Sequence, residues 1–76
     1  MTTADIKSSY TVVATGEVFL YGTPVIYDTR RGIEIVTWCR QELGEINTTW
    51  GLYYAGGAQW WFKYEEDWVR YMLTWG

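Results

Sequence analysis

The stretch from Thr48 to Tyr64, Thr-Thr-Trp-Gly-Leu-Tyr-Tyr-Ala-Gly-Gly-Ala-Gln-Trp-Trp-Phe-Lys-Tyr, constrains this chain more than any other. Two β-prone runs flank Gly56-Gly57, the pattern of a hairpin. A turn closed at those glycines pairs Ala55 with Ala58, Tyr53 with Trp60, Leu52 with Trp61, Gly51 with Phe62 and Trp50 with Lys63. Side chains alternate along a strand. One face then carries Thr49, Gly51, Tyr53, Trp60, Phe62 and Tyr64, and the other Trp50, Leu52, Tyr54 and Trp61 with Gln59 and Lys63. A half-buried sheet needs one apolar face, and here both are aromatic.

The chain has 76 residues, so a single domain spanning 1–76 is expected, with no room for a second core. Six Trp, seven Tyr and two Phe make a small core workable, because each aromatic ring can bury about 150–250 Å². Residues 1–8 are polar and read as a frayed, disordered terminus.

Tyr10–Ala14 and Glu17–Tyr21 are strand-like runs separated by Thr15-Gly16. A two-residue turn there pairs Val13 with Val18 and Val12 with Phe19, the alternative being one long strand with a bulge at Gly16. One face is Thr11, Val13, Val18 and Leu20, and the other Tyr10, Val12, Phe19 and Tyr21. Pro24 ends the run because it cannot donate to a ladder, and Val25–Tyr27 is either a short extended segment or a third strand in this half.

Asp28-Thr29 can cap a helix and Gly44 can close it. Between them Val36, Cys39 and Leu43 recur at helical spacing, flanked by Ile33, Ile35 and Trp38, which describes an amphipathic helix with a broad apolar stripe. Gly32 inside it implies either close backbone packing or a later start. Glu65-Glu66-Asp67 suits a first helical turn, where the dipole favours acids. Trp68, Val69, Met72 and Leu73 then form a stripe, edged by Tyr71 and Trp75. The expected fold is α+β in the order β-β-α-β-β-α, a four-stranded antiparallel sheet with two helices packed on one face. Gly51 would let a helix approach that sheet.

The residues exclude more chemistry than they suggest. There is no His, and Cys39 is alone. A Cys–His nucleophile, a disulfide framework and the usual zinc ligand sets are therefore ruled out. Glu65, Glu66 and Asp67 point around a helix axis and do not converge on a metal. Arg30-Arg31 reads as a solvated helix start. No phosphate-binding or nucleophile-elbow motif occurs. No enzyme activity, cofactor or metal is expected. A net charge of −3 and scattered basic residues argue against nucleic-acid binding. A single thiol and the lack of a secretory signal or an apolar run of about 20 residues suggest a soluble cytoplasmic protein, not a membrane one.

Function is sought on the second aromatic face. If the aliphatic side of the first hairpin joins the helices, Tyr10, Phe19 and Tyr21 face outward with Trp50, Leu52, Tyr54 and Trp61. Trp and Tyr dominate interface hot spots, so these seven residues are the expected contact surface for a protein partner or for a homodimer through the same face. A small-ligand or nucleotide-sequestering aromatic pocket is the alternative, and single-stranded nucleic acid stacked on the rings ranks below it.

The run Phe62-Lys63-Tyr64-Glu65-Glu66-Asp67-Trp68, with Leu73-Thr74-Trp75-Gly76 after it, resembles the ending of small uncharacterised proteins of tailed bacteriophages. The resemblance implies a phage accessory protein acting in a bacterial cytoplasm, as an inhibitor or modulator of a host protein.

Overall fold

The computed structural model describes residues 9–54 and 56–76; the reading of 1–8 as a frayed terminus lies outside them. The elements are β1 (Tyr10–Thr11), β2 (Val18–Phe19), β3 (Tyr21–Gly22), α1 (Thr29–Leu43), β4 (Trp50–Tyr54), β5 (Ala58–Phe62) and α2 (Glu65–Trp75). The fold is α+β, but the single four-stranded sheet is not formed. Instead β1 and β2 make a two-stranded sheet, and β3-β5-β4 make a three-stranded one. The break falls at Leu20, an exposed residue that belongs to neither sheet.

Both helices cover one face of the three-stranded sheet. Ile35 and Cys39 of α1 and Tyr71 of α2 join Trp50, Trp60 and Phe62 in the main core. The small hairpin covers the other face. There Val12 and Phe19 close over Trp61, with Tyr10 and Tyr53 beside them. Three layers result.

The register of the main hairpin corrects the expected one by a single residue. Trp50 pairs with Phe62, Gly51 with Trp61, Leu52 with Trp60, Tyr53 with Gln59 and Tyr54 with Ala58. Three residues, 55–57, separate the strands, with Gly56 at φ 78°, a left-handed conformation that glycine adopts without strain. An odd turn reverses parity, so every side chain of one strand changes face relative to the other. Trp50, Leu52, Trp60 and Phe62 therefore share the helix side, and Trp61 lies opposite.

The first hairpin keeps its two faces but turns them over. Tyr10 pairs with Phe19 and Thr11 with Val18, and Val12 N–H donates to the Glu17 carbonyl at 2.8 Å across a longer turn. Val12 and Phe19 are buried, whereas Val13, Val18 and Leu20 face solvent. The aromatic side goes inward because it meets Trp61 and Tyr53, and burying rings removes more apolar area from water than burying valines.

Gly51 accordingly admits a ring, not a helix. A Cβ there would fall 2.4 Å from Tyr10 Cε1, and one at Gly22 would fall 2.7 Å from the Trp61 ring. Between Tyr21–Gly22 and the bridge from Ile26 to Ala58, the edge strand carries one extra residue, a bulge around Pro24. The buried Thr23 repairs it. Thr23 N–H donates to the Trp60 carbonyl at 3.0 Å, and its Oγ1 accepts from Trp60 N–H at 3.1 Å.

Asp28 caps α1, its Oδ1 accepting from the N–H groups of Arg30 at 2.9 Å and Arg31 at 3.3 Å, and Gly44 ends it. Gly32 lies within the helix, and a Cβ there would meet the Trp60 ring at an ordinary 3.8 Å, so neither close packing nor a later start explains it. In α2 the inward residues are Trp68, Tyr71, Met72 and Trp75, while Val69 and Leu73 face out, a rotation from the expected stripe. Arg70 to Glu42 at 2.7 Å and Arg31 Nη2 to the Trp75 carbonyl at 2.6 Å tie the helices together. No helix among the described residues is long and apolar enough to cross a membrane.

Candidate functional site: a cleft beside strand β4

The seven residues expected on one outward face are dispersed. Phe19, Trp50 and Trp61 are buried, and on different sides of the sheet. Trp50 donates its indole N–H to the Gly44 carbonyl at 2.9 Å, which fixes the ring under the end of α1. Tyr10 is half-buried, stacks on Phe19 at 5.9 Å between centroids, and donates its hydroxyl to Asn47 Oδ1 at 3.0 Å. Tyr21 packs on the helix side, 6.4 Å from Trp68. Leu52 and Tyr54 remain, and the structure brings these two together at an opening.

That opening is a cleft of about 660 Å³ between α1 and the tip of the β4–β5 hairpin. Its roof is the α1 face bearing Ile33, Val36 and Arg40; its floor includes Leu52, Tyr54 and Trp60. Tyr27 and Tyr54, 75% and 73% exposed, stand at its mouth, and Ile33 is 63% exposed. Large apolar side chains at such exposure are ordinary when scattered; here they border one concavity.

The Arg40 guanidinium has no hydrogen-bond or ion-pair partner among the described residues, whereas Asp28 at the opposite end of the lining is engaged as the helix cap. The groups whose acidity the fold alters lie outside this lining. Burial pushes the Cys39 thiol up to about 12 and raises Asp67 and Tyr71, and the hydrogen bond to Glu17 raises Lys63. The described residues hold no group of three or more His, Cys, Asp or Glu placed to bind a metal. The cleft thus combines apolar walls, two phenols and one free guanidinium.

Reading the sequence singled out Leu52 and Tyr54 but missed Tyr27, Ile33, Val36 and Arg40 as a group. A signal was present. Ile33 and Ile35 are two positions apart on a helix, about 200° around it, so both cannot face one core. The side left over is the cleft.

No protein-family model matches the chain, and neither a curated protein nor a solved structure matches it.

Proposed function

We propose that the chain is a small, non-enzymatic protein-binding module whose contact surface is the cleft between α1 and β4. The observation that carries this reading is the clustering of exposed Tyr27, Ile33 and Tyr54 around an apolar concavity with a free Arg40. Tyr and Arg are the residue types enriched in interface hot spots. Together with the phage-like C-terminal run, this favours a phage-encoded modulator that covers a site on a host protein in the bacterial cytoplasm. A second reading, a sequestered small ligand, draws on the cleft volume, which lies within the roughly 300–1,000 Å³ of ligand pockets.

Affinity capture from bacterial lysate tests the first reading when three proteins are run side by side: the native chain, Ile33→Ser/Tyr54→Ser, and Val13→Ser/Leu73→Ser. All four positions are exposed, so each variant is expected to keep the fold, which circular dichroism checks before capture. A specific protein retained by the first and third and lost by the second is expected. Equal capture by all three, or none, refutes the cleft as the contact surface. Quenching of Trp fluorescence by a nucleotide and metabolite panel, lost in the cleft variant, would instead establish the ligand reading.

A further inference from the structure

The two edges of the three-stranded sheet are finished differently. On the β3 side, the Gly22 carbonyl accepts from the Trp68 indole N–H at 2.9 Å, and the Pro24 bulge follows. Both devices stop a further strand from adding. On the β4 side, only the start is closed, where the Trp50 carbonyl accepts from Asn47 N–H at 2.7 Å.

Beyond it the edge is open. The backbone groups of Ala58 and Trp60 turn towards β3, while Lys63 N–H donates to the Thr49 carbonyl. By alternation, Gly51 and Tyr53 therefore bond β5, and the N–H and C=O of Leu52 and Tyr54 point away from the sheet. No partner for these four groups occurs among the described residues. The segment Thr48–Tyr54 has no charge and no Pro to discourage pairing.

We infer that β4 pairs antiparallel with β4 of a second copy of this chain, joining two three-stranded sheets into one across a two-fold axis at Tyr53. The edge is self-complementary in that register. Leu52 lies opposite Tyr54 of the copy and Tyr54 opposite its Leu52, which uses each free N–H and C=O once. A two-fold interface requires one patch to serve both partners, and this one does. The closed Trp50 end falls outside the paired region. No like charges oppose one another along the strands. The same axis sets α1 antiparallel to its copy. Exposed Ile33 and Tyr54 supply apolar area beside the new strand pair.

This inference rests on the cleft reading only in sharing Leu52 and Tyr54, and the two fail separately. The test is sedimentation equilibrium of the full chain from micromolar to millimolar concentration, with amide exchange followed in parallel. A second sample, made by chemical synthesis, carries an N-methyl group on Leu52, which deletes an outward donor and leaves the β4–β5 ladder untouched. The native chain is expected to dimerise, with the Leu52 and Tyr54 amides protected in step with dimer formation. N-methylation removes one bond from each side of the axis and should weaken the dimer roughly thirtyfold, with near-ultraviolet circular dichroism unchanged. A monomer throughout the range overturns the inference and leaves the cleft free for a foreign protein. A dimer whose Leu52 and Tyr54 amides exchange as in the monomer also overturns it, whatever the N-methylated chain does.

Discussion

Gly51→Ala probes the contact that closes the aromatic outer face of the sheet. The new Cβ would fall 2.4, 2.9 and 3.0 Å from Cε1, Cζ and Cδ1 of Tyr10. Ordinary carbon contacts lie near 3.5–4.0 Å, so the ring must retreat by about 1 Å. Tyr10 has little room to do so, being stacked on Phe19 and bonded to Asn47. Overpacking of this kind costs about 1–3 kcal/mol, a large share of the roughly 4–11 kcal/mol expected for a domain of this length. Tyr10→Ala, which truncates a half-buried ring, should cost about 2 kcal/mol, half of a full aromatic truncation. In the Tyr10→Ala background the clash is gone, and Gly51→Ala should be neutral or stabilising by about 0.5 kcal/mol, since Ala suits a strand better than Gly. Urea unfolding of the four proteins, read by Trp fluorescence, closes the cycle. A coupling of about 2 kcal/mol is expected. If Gly51→Ala costs the same in both backgrounds within about 0.5 kcal/mol, Tyr10 does not lie on Gly51, and the first hairpin does not cover that face.

Trp61→Ala removes a buried ring of the second cluster and should cost about 3–5 kcal/mol in urea unfolding, as Phe62→Ala should; a mild Trp61→Ala effect would mean this ring faces solvent. Gly32→Ala should raise stability by up to about 1 kcal/mol, because its Cβ meets Trp60 at ordinary contact distance; a loss would show that α1 sits closer to the sheet. Burial raises Asp67 above its usual 3.8, Glu66 adds to this and Arg70 opposes it. Stability from its protonated form is complete below that usual value and lost as pH rises through the raised one. Asp67→Asn should therefore gain on the wild type between acid and neutral pH, and parallel pH profiles in thermal unfolding would refute this. The Cys39 thiol, buried with its pKa pushed up to about 12, should react with a disulfide reagent only as the chain unfolds, so rapid labelling of the native protein would contradict the packing.

The parts legible in the sequence are those whose signals are local. Asp28 and Gly44 bound α1, and Glu65 starts α2, because caps and dipoles act within a turn of their own position. The alternation of the first hairpin was legible too as far as Phe19, since its longer turn shifts the register by an even number. Which face turns inward was not, nor that Tyr21 leaves it for the helix side. What stayed hidden depends on one residue or on a distant partner. Gly56-Gly57 admits turns of two or three residues equally well, and that single step decides whether Trp61 joins Trp50 or opposes it. Whether Tyr21 pairs onward from Phe19 or crosses to Phe62 is settled by a strand some 40 positions away. For the site, Leu52 and Tyr54 came through because the alternation of β4 is local, while their companions Ile33 and Val36 became visible only once α1 had a core side.

The strand order β3-β5-β4 also has a consequence in time. β5 is the last strand in the chain and the middle strand of the sheet. Until residues 58–62 are available, β3 and β4 have nothing in common to pair with. The hairpin β4–β5 closes a short loop and can form quickly, whereas docking β3 closes one of about 40 residues and must wait for it. Phe19, Tyr21 and Val12 are therefore made early and buried late. For a chain so rich in rings, the interval between those two events is when it is most exposed to sticking to something else.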